Sequence, residues 1–268
     1  EYINVYYKGN SLFKLSYNGQ LVAETQYKYL VRPDANPCLV KTSNEMSFTH
    51  DANQFAIRNL DEIESIKKAS AAYSGIEKEG IQKIIQSNDS IIDLEIALTN
   101  EALRDEMEPE AGKKRSTAKR IDFAALQKKN DFYEVVFFEA KHFSNNELRA
   151  QGNAEPKVID QISLYKDLLK TYEEEMIQSY SDLCHNLREI LPDSEFTRAI
   201  ANITDGKPLK INLKPRLVIF GFDEDQKKGK VWKPHIDKLV KILGKEFVLA
   251  KGKSSGFNNG ITEATLSS

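Results

Sequence analysis

The stretch FYEVVFFEAKHF, residues 132–143, constrains the fold more than any other part of the chain. Its apolar and aromatic run reads as a strand in the middle of a sheet. Yet Glu139 and Lys141 stand near its end, two residues apart and so on one face, together with Val135 and Phe137. Val136, Phe138, Ala140 and His142 take the other face, which assigns His142 to packing or support rather than to catalysis. A carboxylate on a buried strand needs a reason, because burying it uncompensated is costly.

The preceding segment supplies a second acid. RIDFAAL (120–126) reads as a strand and QKKND (127–131) as a tight turn, so the two strands form part of an antiparallel meander. Asp122 interrupts the apolar run of the first strand, and pairing through the short turn sets it beside Glu139 on one surface of the sheet. Two carboxylates together repel, and a hard divalent cation resolves the conflict by binding both. Magnesium suits such a site, since it takes oxygen ligands and keeps several waters for a substrate phosphate. A lysine at that point can orient an attacking water or stabilise charge as a P–O bond breaks. Glu139 with Lys141 alone would be read as a strand-end salt bridge. Asp122 weakens that explanation.

The surrounding pattern frames these strands. INVYY, SLFKLSY and QLVAETQY read as short strands of an N-terminal meander, with Asn-Gly at 18–19 favouring a hairpin turn. Residues 1–45 form a β-rich module or extension, and VRPDANPC ends it. From Asp61, isoleucines at 63, 66, 76, 81, 84 and 85 follow helical spacing, broken at Gly75. IIDLEIALT (91–99) is β-like. Residues 100–119 form a long polar segment, acidic first and basic last, of the kind that is mobile, functional or both. SNNELRAQGNAEP (144–156) reads as irregular and as a candidate mobile substrate loop. Residues 157–191 read as one long amphipathic helix, 214–223 as a buried strand, 233–243 as a helix and 246–253 as a last strand. The tail 254–268 reads as flexible. The expected fold is α/β (α+β): a mixed central sheet flanked by helices.

Composition narrows the setting. The formal net charge is −2, so global charge selects neither nucleic acid nor a membrane as partner. No apolar run approaches the roughly eighteen residues that span a bilayer. Cys38 and Cys184 are isolated, without disulfide or zinc-ligand spacing. The expectation is a cytoplasmic protein with no membrane partner.

RIDFAAL followed by EVVFFEAKHF resembles the D–(x)n–ExK signature of the PD-(D/E)XK nuclease superfamily. QISLY, with Gln161 and Tyr165 four residues apart on one helix face, resembles the QxxxY motif of its RecB-like branch. The resemblance covers about residues 61–253, and the order of elements matches the family's restriction-endonuclease-like core. Ile121 stands where the family's motif has proline. The resemblance implies that Asp122 and Glu139 bind Mg²⁺ with the Ala140 carbonyl, Mn²⁺ being able to substitute. It implies that Lys141 positions or activates the nucleophilic water, that Gln161 supports the site, and that Tyr165 contacts the site or the substrate backbone. The family often adds a glutamate from the first core helix. Glu77 is preferred there over Glu79 because it lies nearer the apolar stripe, and Glu95 on the following strand is a further candidate.

Nucleic acid needs basic contacts to phosphate. Candidates flanking the site are Lys113, Lys114, Arg115, Lys119, Arg120, Lys128, Lys129, Arg149 and Lys157. The expected function is a metal-dependent nuclease acting on nucleic acid, DNA foremost. The alternative is a catalytically inactive nuclease-fold protein serving as a nucleic-acid-binding or assembly module. The N-terminal module is a candidate surface for a homodimer or protein partner.

Overall fold

The structure, a computed structural model, describes residues 2–17, 21–26, 29, 39–42, 45–48, 60–98, 120–152, 154–191, 195–252 and 261. By internal contacts the chain divides into two units, Glu1–Gln82 and Lys83–Ser268. Most of the tail 254–268 and Cys38 lie outside the described residues.

In the first unit, strands β1 (Tyr2–Tyr7), β2 (Asn10–Tyr17) and β3 (Leu21–Glu24) form an antiparallel meander. The first turn is two residues long, with Lys8 and Gly9 both at positive φ, 48° and 65°. That is the backbone a tight hairpin demands, and glycine takes it at little cost. β4 (Leu39–Thr42) and β5 (Glu45–Phe48) form a separate hairpin. Helix α1 (Leu60–Ala71) buries Ile66 against Leu12, Phe13 and Tyr29. Helix α2 (Ile76–Gln86) follows, and the division between the units falls within it. Thus α1 and the first turns of α2 group by contacts with the N-terminal strands.

The second unit is a mixed α/β structure. Strands β6 (Ile91–Ala97), β7 (Arg120–Lys128) and β8 (Tyr133–His142) form an antiparallel meander. β10 (Arg216–Phe220) runs parallel to β8, and β11 (Val248–Ala250) runs parallel to β10. The sheet order is β11-β10-β8-β7-β6, with the short β9 (Leu209–Ile211) pairing the start of β8. β8 therefore has neighbours on both sides, which explains its hydrophobicity: Val135 to Phe138 and Ala140 are fully buried.

Helices α3 (Lys157–Thr171), α4 (Glu173–Ile190) and α5 (Glu195–Thr204) supply Tyr165, Leu169, Met176, Tyr180, Cys184 and Ile200 to a core with Leu126, Val135 and Phe137. Further along the sheet, Val158, Ile159 and Ile162 of α3 pack with Leu217 and Ile219 of β10 and with Leu239 of helix α6 (Lys233–Leu243).

The expected single helix over 157–191 is two helices, with Tyr172 between them at φ −109°, ψ 23°. Apolar spacing runs straight through the break. Glu173, Glu174 and Glu175 fill the first turn of α4, where the helix dipole favours acids. A second correction concerns 144–156. Asn146–Leu148 forms a one-turn 3-10 helix capped by Asn145, whose Oδ1 accepts from the Glu147 N–H at 2.9 Å, and Leu148 is fully buried.

Candidate active site

The β7–β8 ladder pairs Phe123 with Phe138 and continues back to Lys128 with Tyr133. Beyond Phe123 the side chain of Asp122 replaces the ladder: the Ala140 N–H donates to its Oδ2 at 2.7 Å. This hydrogen bond ties Asp122 to the residue next to Glu139. Among the expected ligands, Asp122 and Glu139 are thus brought together. Ala140 contributes its N–H to the arrangement.

Lys141 Nζ lies 2.7 Å from Glu139 Oε1, and both side chains are nearly inaccessible. The Gln161 amide donates to the same oxygen at 2.8 Å and to Tyr165 Oη at 2.7 Å. The Tyr165 hydroxyl in turn donates to the Arg120 carbonyl at 2.7 Å. One chain of hydrogen bonds therefore runs from Glu139 on β8, through α3, to the start of β7. The four-residue spacing of Gln161 and Tyr165 permits it by placing both on one helix face.

The electrostatics follow from burial. Desolvation first, and the Glu139 charge second, push the Asp122 carboxyl well above the usual carboxylate range. The Ala140 N–H and the Lys141 ammonium oppose this, and Glu95 adds to it. Burial and the Glu139 charge also raise the Tyr165 phenol, which keeps it protonated as a donor. One lysine thus shares its neighbourhood with more than one acid. A hard cation would be one way to compensate two buried carboxylates whose charges act on each other. Among the described residues no set of three or more His, Cys, Asp or Glu side chains gathers as a metal cage. Asp122 and Glu139 are the two strand carboxylates that such a cation would take.

The other candidates are distributed as follows. Glu95 sits on β6 between Leu94, paired with Phe123, and Ile96, paired with Ile121, and has φ +54°. That places it at the level of Asp122. Its neighbour Asp93 accepts from the Tyr180 hydroxyl at 3.0 Å. Glu77 lies in the first turn of α2, in the first unit, and Glu79 pairs with Lys8 at 3.2 Å there. His142 bonds Ser144 Oγ through Nδ1 at 2.7 Å and packs against Phe220. Cys184 is buried, with its thiol pushed up to about 11, which suits packing rather than nucleophilic chemistry.

Of the basic residues, Lys113, Lys114, Arg115 and Lys119 lie outside the described residues. Arg120, Lys128 and Lys157 are exposed, and Lys129 is within 3.8 Å of Glu134. Arg149 is turned inward: its Nη2 donates to the Phe143 carbonyl at 3.2 Å and its guanidinium lies over Trp232. That engagement serves the fold.

Sequence reasoning missed Glu147, whose Oε2 lies 3.1 Å from Lys141 Nζ. It is six residues beyond the lysine, a separation with neither strand nor helix meaning. Only the 3-10 turn brings it back. Among the described residues no helix is long and apolar enough to cross a membrane. No family model matches the chain, and no curated protein or solved structure matches it.

Proposed function

We propose that the chain is a metal-dependent nuclease with a restriction-endonuclease-like core, hydrolysing phosphodiester bonds in nucleic acid, with DNA the first substrate to try. The observation that carries the reading is the pairing of Asp122 with the Glu139–Lys141 strand end, under a helix that clamps Glu139 through Gln161. A structural salt bridge needs one acid for one lysine. Here a second carboxylate is held beside the pair at a cost in desolvation and repulsion. The order of α2, the β6–β8 meander, α3 and β10 resembles that of the family core, which supports the reading.

Asp122 and Glu139, with the Ala140 carbonyl, would hold Mg²⁺ or Mn²⁺. A cation there supplies neutralisation of the charge that develops on the scissile phosphate. Lys141 donates a hydrogen bond to the attacking water and directs it toward phosphorus. Gln161 fixes the orientation of the Glu139 carboxylate, and Tyr165 locks Gln161. Glu95 is the extra acid that position favours, since its charge already acts on Asp122.

The test is cleavage of single- and double-stranded DNA and of RNA with Mg²⁺ or Mn²⁺, comparing the wild type with Lys141→Ala and Asp122→Ala. The reading expects loss of at least about a hundredfold in each variant, the scale of removing a main catalytic group. Undiminished cleavage in both variants would sink it.

A further inference from the structure

Two carboxylates reach Lys141, and one of them, Glu147, lies outside the motif. Glu139 lies within the protein, its side chain 2% exposed, while Glu147 stands at the rim, 41% exposed. Lys141 spans the two, 2.7 Å from the inner carboxylate and 3.1 Å from the outer. An ammonium carries three N–H donors on a flexible four-carbon stem. Each carboxylate that engages it narrows how far it can spin and swing, and Glu147 adds such a restraint from the outer side.

Glu147 is itself rigidly mounted. Its N–H is held by Asn145 Oδ1, the next residue Leu148 is fully buried, and the Arg149 N–H closes the turn onto the Asn146 carbonyl at 3.1 Å. An acid at the rim of a site for a polyanion carries an electrostatic penalty, since like charges repel. Its placement against Lys141 gives that acid a use.

We propose that Glu147 is a positioning residue: a carboxylate outside the motif that helps aim Lys141 and still engages it when a cation takes Glu139. The inference rests on the nuclease reading of the site. It expects Glu147 to act on the chemical step through the lysine and to add nothing to substrate affinity.

Two measurements on the full chain test it. The first needs no metal and no activity: ¹⁵N relaxation of the Lys141 side-chain ammonium, compared between wild type and Glu147→Gln. The expected result is a more mobile ammonium in the variant, and an unchanged signal overturns the proposal. The second is Mg²⁺-dependent cleavage of a DNA oligonucleotide by wild type, Lys141→Ala, Glu147→Gln and Glu147→Asp. Glu147→Gln should lower kcat about tenfold with KM unchanged or lower, the pattern of a group acting in the transition state. Glu147→Asp should recover part of the loss. A Lys141→Ala variant that is inactive beside a fully active Glu147→Gln overturns the positioning role and leaves the nuclease reading intact. A wild type no more active than Lys141→Ala overturns that reading and the catalytic use of Glu147 with it. The exposed Glu147 side chain makes misfolding an unneeded explanation, and an unchanged Tm in both Glu147 variants checks this.

Discussion

Gln161 reaches from helix α3 to the buried carboxylate of Glu139 at 2.8 Å, and the same amide nitrogen is bonded to Tyr165. The pair couples the covering helix to the strand that carries Glu139 and Lys141. Replacing Gln161 with alanine removes one donor from a desolvated carboxylate, at a cost of roughly 1–3 kcal/mol. The freed carboxylate should lose its fixed orientation, and cleavage should fall about 10–100-fold, the usual size of such supporting contacts. Tyr165→Phe keeps the ring, loses the bond to the Arg120 carbonyl, and should cost about 1 kcal/mol with a smaller effect on rate. Urea denaturation and single-turnover rates measure both. Equal rates for wild type and Gln161→Ala would show that Gln161 has no part in the site.

Asp122 should make the metal-free protein less stable at neutral pH. Its carboxyl is raised in the folded state, by burial and by Glu139, so the folded state holds its proton to higher pH than the unfolded state does. The stability this group contributes is full below the unfolded value and is lost as pH rises through the folded one. Asp122→Asn removes that loss, and its amide oxygen can still accept the Ala140 N–H. The variant should therefore melt higher than wild type at pH 7 without metal, each kcal/mol recovered being worth roughly 2–4 °C. The difference should vanish at pH 3. Adding Mg²⁺ should raise the Tm of the wild type, because a ligand stabilises the state that binds it, and should leave Asp122→Asn unmoved. Melting curves at the two pH values, with and without Mg²⁺, decide the matter. A wild type indifferent to Mg²⁺ would argue against a cation at these carboxylates.

The central hairpin was legible because its signals are local. Alternation along EVVFFEAK and a short polar turn place Asp122 and Glu139 on one surface, and the strand's place between β7 and β10 follows from its hydrophobicity. Gln161 and Tyr165 were legible for the same reason, as neighbours on one helix face. What was missed depends on backbone that periodicity does not encode. The break at Tyr172 sits inside an uninterrupted apolar stripe from Leu168 to Met176. The helix Glu195–Thr204 carries its own stripe, Ala199, Ile200 and Ile203, but it is short and follows a proline segment. The positive φ of Glu95 and the return of Glu147 are local backbone features, one within a strand and one at a turn.

Gly221 is where the end of β8 meets the segment after β10. It has φ +93°, and a Cβ there would stand 2.2 Å from ring atoms of His142. Gly221→Ala combines backbone strain with displacement of a packed ring, together about 2–5 kcal/mol. Because the two residues touch, the double variant Gly221→Ala/His142→Ala should lose less than the sum of the single losses. Denaturant unfolding of all four proteins gives the cycle. Strict additivity would mean that the ring is not what the glycine accommodates.

Asn10 should be the residue on which the first unit's hairpin most depends. It is buried at the start of β2, its Nδ2 donating to the Ser70 carbonyl at 3.1 Å and to Ser74 Oγ at 2.9 Å. Lys78 Nζ donates to its Oδ1 at 3.1 Å, so one side chain ties the hairpin to the end of α1 and to α2. Alanine at this position removes these hydrogen bonds and empties the junction, costing roughly 1–3 kcal/mol. The loss should be local, since these bonds join Asn10, Ser70, Ser74 and Lys78, all within Glu1–Gln82. Hydrogen exchange of the full-length variant should quicken in Tyr2–Tyr17 and leave the β7–β8 amides at wild-type rates. Unchanged protection in Tyr2–Tyr17 would show that the apolar contacts of Leu12, Phe13 and Ile66 hold the hairpin without Asn10.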